Sequence, residues 1–199
     1  VRSINDWAAS VGGDRVIPFG AMHPDLDDPA LEVERMAAHG IRGFKLHPEY
    51  QDFEPHEARM GAVYEAATAY RMTILFHAGI DIGLPTLRGT PASFAEMLDT
   101  WPRLTCVLAH MGGSRLWEEV AEHLAGRDVY LDTSYTLGHL GDGEFVTLVR
   151  AHGAERILFG SDGPWTDPVA EMAHLRRLPL EDAELDAVLG GNAERLLAR

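Results

Sequence analysis

An α/β fold of the (β/α)8 TIM-barrel type is the class this 199-residue sequence predicts, and three observations predict it. Apolar runs rich in Val, Ile, Leu and Phe recur about every 25 to 30 residues, the length of one strand plus one helix. The stretches between them carry helical patterns with readable ends, so strand and helix alternate along the whole chain and imply a parallel sheet covered by helices. Several runs stop in a His or Asp next to glycine, which gathers reactive residues at C-terminal strand ends, as a barrel does.

The first run, 15–22, is followed by His23-Pro24-Asp25-Leu26-Asp27 rather than a Gly-rich phosphate loop, which argues against a doubly wound nucleotide binder. Asp28 then caps a helix that Pro29 starts and Gly40 stops. Strands follow at 43–47 and 72–78, and Thr90-Pro91 opens a helix over 92–101. A strand at 104–110 precedes Ser114, the expected cap of a helix over 115–125 that ends before Gly126. Strands at 129–133 and 156–160 come next, and helices at 181–189 and 192–197 close the chain. That makes about six strand–helix units where a closed barrel has eight and about 250 residues. The barrel is therefore expected to lack its first one or two units, which would lie before Val1, within a single domain over 1–199.

A formal net charge of −14 repels nucleic acid and anionic membrane surfaces, so neither is an expected partner. Cys106, the one cysteine, cannot form an intramolecular disulfide and lies in an apolar run. No stretch approaches the roughly 20 apolar residues of a membrane span, and the N-terminus lacks the form of a signal peptide. A cytoplasmic protein acting on a small-molecule substrate is expected, and an incomplete barrel with open edge strands favours a homo-oligomer.

Three strand endings invite a shared metal site: Phe76-His77-Ala78-Gly79, Ala109-His110-Met111-Gly112-Gly113 and Phe159-Gly160-Ser161-Asp162-Gly163-Pro164. Taken singly, His77 and His110 read as capping or core histidines and Asp162 as a turn aspartate. Together, neutral imidazoles and a carboxylate suit a divalent metal, with zinc the first choice and one position open for water. In Gly43-Phe44-Lys45-Leu46-His47-Pro48, alternation puts Lys45 and His47 on one face. Lys45 could pair with a site carboxylate, anchor an anionic substrate or become a carbamate, and His47 could contact substrate or cap the strand. Asp132 is a candidate to orient a histidine, with a backbone hydrogen-bonding role equally open. Trp165 and the 79–90 loop would wall the pocket, with Arg88 a candidate to hold a carboxylate. His39, His123, His152 and His174 fall in helical segments or their last turns, where the helix dipole accounts for them.

These motifs resemble the amidohydrolase-related branch of the metal-dependent amidohydrolase superfamily, which includes decarboxylases similar to aminocarboxymuconate-semialdehyde decarboxylase. The resemblance runs from Val16-Ile17-Pro18-Phe19-Gly20 to Gly191-Asn192-Ala193-Glu194-Arg195-Leu196-Leu197. It implies that the visible strands are the third to the eighth. It makes His77 a metal ligand, Asp162 both metal-linked and the acceptor of the water proton, and His110 a residue that polarises substrate and moves protons. The family's first strand ends in His-x-His, a pattern absent from this sequence.

The expected activity is hydrolysis of an amide, lactone or similar bond in a small, carboxylated molecule through metal-activated water. Non-oxidative decarboxylation at the same site is the alternative, and a catalytically silent barrel serving as a binding or assembly module is a third reading.

Overall fold

The computed structural model describes residues 1–198 and begins with helix α1 (Arg2–Val11), which the apolar pattern did not predict. Six units follow. They start with β1 (Gly20–Ala21) and α2 (Pro29–Ala38), then β2 (Gly43–Leu46) with the short α3 (Pro48–Gln51) and α4 (Gly61–Ala69). Next are β3 (Thr73–Phe76) with α5 (Pro91–Thr100), and β4 (Cys106–Leu108) with α6 (Trp117–His123). The chain continues through β5 (Tyr130–Asp132) and α7 (Asp142–His152) to β6 (Ile157–Leu158), α8 (Pro168–Leu175), α9 (Asp182–Asp186) and α10 (Asn192–Leu197).

The strands form one parallel six-stranded sheet in the order β1-β2-β3-β4-β5-β6. A doubly wound sheet reverses its strand order at a switch point, whereas a barrel advances around its axis one strand at a time. This sheet advances without reversal, so the fold is of the (β/α)8-barrel type with six of the eight units. Among the described residues, β1 pairs only with β2 and β6 only with β5.

Side-chain alternation divides the sheet into two faces. Phe44, Leu46, Ile74, Phe76, Cys106, Leu108, Leu131 and Ile157 join the large core that the helices cover. Val107 and Leu158 pack instead with Leu75, Tyr130, Ala193 and Leu196, so α10 lies against the other face. On that second face, the next position along each chain is His47 after Lys45, His77 after Leu75 and Asp132 after Tyr130. The pleat itself thus carries reactive residues to one end of one face.

Helix ends follow the local chemistry. The Asp28 side chain accepts from Leu31 N–H at 3.0 Å and Thr90 from Ser93 N–H at 3.1 Å, each before a proline that has no N–H to satisfy. Ser114 does not cap α6 as predicted. Its N–H donates to Ala78 O at 2.9 Å and its carbonyl accepts from Ile80 N–H at 3.0 Å, so it ties two strand ends together and the helix starts later. The predicted helix over 181–189 is α9 followed by a π-helical turn that runs directly into α10. The strands are shorter than the apolar runs, most of all β1, because the flanking residues continue as loops that leave the ladder. Cys106 is buried, and burial pushes its thiol up to about 12, as expected of inert packing.

Gly79 stands where β3 leaves the sheet, with φ +85°, and an added Cβ would lie 2.2 Å from Ser114 N. Gly79→Ala is expected to destabilise the protein by on the order of 3 kcal/mol, from left-handed strain plus backbone collision. Urea unfolding monitored by circular dichroism measures this, and a change within about 0.5 kcal/mol would contradict the tight β3–β4 junction.

Candidate functional site

Three histidines meet where β2, β3 and β4 end. The His47 and His77 rings stack at 4.1 Å with an interplanar angle of 5°, and the His77 and His110 rings meet edge-on at 4.9 Å. Strand parity places His47 and His77 on the same face, but it would turn His110 to the opposite face from Val107. Backbone geometry overrides parity here: His110 and Met111 adopt φ of 60° and 52°, and this left-handed turn brings His110 to His77.

Hydrogen bonds settle the proton positions. Nδ1 of His110 lies 2.9 Å from the carbonyl of Ser134, which can only accept, so this nitrogen carries a proton. In the neutral ring Nε2 is then an acceptor, and Nδ1 of His77 donates to it across 3.2 Å. That leaves Nε2 of His77 with a bare lone pair, and this buried atom has no hydrogen-bond partner. Burial, with His47, His110 and Lys45 adding to it, pushes His77 down to about 2, so its ring is neutral near pH 7. Asp132 holds the arrangement from behind: its Oδ1 accepts from His110 N–H at 3.1 Å, from Ser134 N–H at 2.9 Å and from the Ser134 hydroxyl.

His47 is organised in the same way from the other side. Its Nδ1 accepts a long bond from Tyr50 N–H at 3.4 Å, and its Nε2 faces Asp81 Oδ2 at 3.3 Å. Burial, followed by the charge of Lys45, pushes His47 down to about 4. Glu49 completes the group. Its side chain is 0% exposed, Oε1 accepts from Arg88 N–H and Gly89 N–H at 2.9 Å each, and Oε2 lies 3.6 Å from His47 Nδ1. This Oε2 makes no hydrogen bond. One ligand atom each from His47, Glu49 and His77 lie within 4.8 Å of one another, a group of the two-histidine, one-carboxylate type. Two of its three members carry orphaned buried acceptor atoms, which is the signature of residues suited to a cation.

The other expected residues are placed as follows. Lys45 lies in the field of Asp132 and Asp162; burial lowers its pKa and those carboxylates oppose the shift. Asp162 is exposed, four residues beyond β6 with φ 57°, and stands outside the His47–Glu49–His77 group. His110 has both ring nitrogens engaged, so it positions His77 where contact with a developing oxyanion was expected. Arg88 does not offer an open fork: its Nη2 pairs with Asp52, although its buried Nε lacks a partner. Trp165 is 77% exposed. Among the helical histidines, His174 Nε2 pairs with Asp142 at 2.8 Å and His152 is buried against the carbonyls of Leu124 and Val129. Glu49, Asp81 and Ser134 were not anticipated. Glu49 looks in the sequence like an ordinary first-turn acid of a helix begun by Pro48, and only its two residues' distance from His47 hinted at more.

This chain belongs to the amidohydrolase family, which matches residues 2–199. Solved structures with the same fold include 5-carboxyvanillate decarboxylase from Sphingomonas paucimobilis, at TM-score 0.78 and 20% identity over 99% of this chain and 72% of that one. A dihydroxybenzoic acid decarboxylase from Polaromonas sp. JS666, with bound manganese and the inhibitor 2-nitroresorcinol, gives 0.74 and 20% over 99% and 74%. A provisional 2-pyrone-4,6-dicarboxylic acid hydrolase from Pseudomonas putida gives 0.72 and 20% over 99% and 77%. No curated protein matches the chain. Among the described residues, no helix is long and apolar enough to cross a membrane.

The hydrogen-bond chain predicts its own spectrum. In metal-free protein near pH 7, imidazole 15N shifts should report a proton on Nδ1 of both His77 and His110 and a bare Nε2 on each. A protonated Nε2 on His77 would contradict the arrangement.

Proposed function

We propose that this chain is a metal-dependent hydrolase that opens an amide, lactone or similar bond in a small, carboxylated molecule. The observation that carries the reading is the buried lone pair of His77 Nε2, held ready by His110 and unspent on any protein donor. A buried acceptor of this kind costs stability unless something fills it, and a divalent cation does so best when a carboxylate stands close by. When bound, such a metal supplies Lewis acidity that polarises a carbonyl and acidifies water.

The residues divide the remaining work. His110 keeps the proton of His77 on Nδ1, so that Nε2 always presents its lone pair. Asp162, exposed beyond β6 and within electrostatic reach of Lys45, accepts the proton of the attacking water and returns it to the leaving group. Lys45 supplies positive charge close to His47 and His77, where it can face the carboxylate of the substrate. Asp132 and Asp162 favour its charged form, against the desolvation that lowers its pKa.

Non-oxidative decarboxylation is a second reading of the same residues, supported by the names of two similar structures. In it Lys45 would face the carboxylate that leaves, and Asp162 would deliver its proton to the substrate carbon. Zinc is the first metal to try, with manganese beside it because a similar structure holds that ion.

Activity should disappear on chelation and return with zinc or manganese when a panel of lactones, amides and aromatic carboxylates is assayed for ring opening, amine release and CO2 release. Asp162→Asn should lower kcat by about 100- to 10,000-fold with the metal retained. Full activity in Asp162→Asn, or turnover indifferent to chelation, would sink the reading.

A further inference from the structure

The hydrolase reading needs the Nε2 lone pair of His77 to point in one direction, and a single bond to His110 does not secure that. We infer that His47 and Asp81 are positioning residues for His77: Asp81, on the loop after β3, holds the His47 ring flat against the His77 ring. The functional meaning of this rests on the metal-dependent reading above, whereas the geometry belongs to the metal-free protein.

One hydrogen bond fixes a proton but acts as a hinge for the ring that makes it. His77 donates Nδ1–H to His110 Nε2 at 3.2 Å, which sets the tautomer and pins one point on the ring edge. Rotation about Cβ–Cγ would still swing Nε2 away from its direction. The ring of His47 blocks that rotation, stacked on His77 at 4.1 Å with the planes 5° apart. The His110 ring meets His77 edge-on at 66°, so the imidazole is confined from two directions. Residues that present a reactive atom are held in this way when packing and hydrogen bonds lock their rotamers together.

A wall must itself be fixed. Nδ1 of His47 accepts from Tyr50 N–H at 3.4 Å, so the proton of the neutral ring is on Nε2, which faces Asp81 Oδ2 at 3.3 Å. Of these two partners only Asp81 offers a charge, and charge-assisted bonds are the stronger kind. Asp81 is held in turn: its Oδ1 accepts from Gly83 N–H at 2.7 Å and its carbonyl from Leu84 N–H at 3.2 Å. Its neighbour Ile80 donates N–H to Ser114 O at 3.0 Å, in the segment that follows His110. The turn over 80–84 therefore bears on the His47 side of His77 directly and on the His110 side through Ser114. His77, from β3, is steadied by an aspartate further along its own chain, acting through a histidine that follows β2. The stem of the 79–90 loop thus sets how His77 presents Nε2.

The test reads His77 directly and uses the full chain. In metal-free protein, side-chain 15N spectra should show the fixed Nδ1–H tautomer of His77. In His47→Ala and in Asp81→Ala its two nitrogens should move toward the averaged shifts of a freely exchanging imidazole. Zinc affinity, measured by equilibrium dialysis with elemental analysis, should fall about 10- to 100-fold in both, the usual cost of losing an outer partner of a metal-binding histidine. Asp81→Asn keeps an oxygen that accepts from Nε2–H, so it should restore the tautomer and bring zinc affinity to within about threefold of the unaltered protein. Asp52→Ala, which frees Arg88 Nη2 without touching His47, should leave both readouts unchanged. Both readouts unmoved in a folded Asp81→Ala overturns the inference, as does a failure of asparagine to rescue or an equal loss in Asp52→Ala. Circular dichroism identifies a variant that fails to fold, and if His47→Ala does so the Asp81 pair decides. If the unaltered protein binds no zinc, the metal-dependent reading falls, while the His77 spectra still decide the positioning roles.

Discussion

The hydrogen bond from His77 Nδ1 to His110 Nε2 is the contact on which the site depends. It converts a backbone carbonyl, that of Ser134, into a statement about where a proton sits two rings away. The links follow from a carbonyl that only accepts and from a neutral imidazole that has one donor and one acceptor. Asp132 underwrites the chain by gathering the His110 and Ser134 amides and the Ser134 hydroxyl on a single oxygen. That anchor, with the bonds from Gly113 N–H and Trp117 Nε1–H to the His110 carbonyl, holds the left-handed turn at His110 and Met111 against its strain.

Burial sets the electrostatics around this contact. Desolvation, more than any neighbouring charge, keeps His77 and His47 neutral and lowers the pKa of Lys45. Neutral imidazoles offer lone pairs, which cations need. The same desolvation makes unused acceptors such as Glu49 Oε2 and His77 Nε2 costly. A site built from costly groups is one that gains by being filled, which is why these atoms, rather than the most exposed acids, mark the reactive end of the sheet.

As proposed, hydrolysis and decarboxylation at this site would differ in little more than the destination of a proton. The family supplies the scaffold, and similar structures bear names of both kinds of enzyme. In the proposed readings, what would separate the two outcomes is whether a substrate presents a carbonyl or a carboxylated carbon to Asp162, and function of that kind is argued from the site and not from the fold. Arg88 is engaged with Asp52 and Trp165 is exposed, whereas Lys45 stands within electrostatic reach of His47.

Much of this protein is written locally. Strand–helix alternation, the caps Asp28 and Thr90, and the period-two placement of Lys45 with His47 are consequences of neighbouring residues acting over a few positions, and the sequence alone determined them. So were His77 and His110 as strand-end residues of one family's pattern. Ser114 was misread as a cap because its competing partners, Ala78 and Ile80, are distant in the chain. The reach of His110 to His77 depends on a positive φ that overturns strand parity, and parity was all that a one-dimensional pattern could offer. Glu49 stayed hidden for the same reason: its donors are Arg88 and Gly89, and only folding removes its second oxygen from water. Local propensity thus decided which residues stand at strand ends, whereas tertiary structure decided which lone pairs are left unspent, because hydrogen-bond satisfaction is settled by partners far apart in sequence.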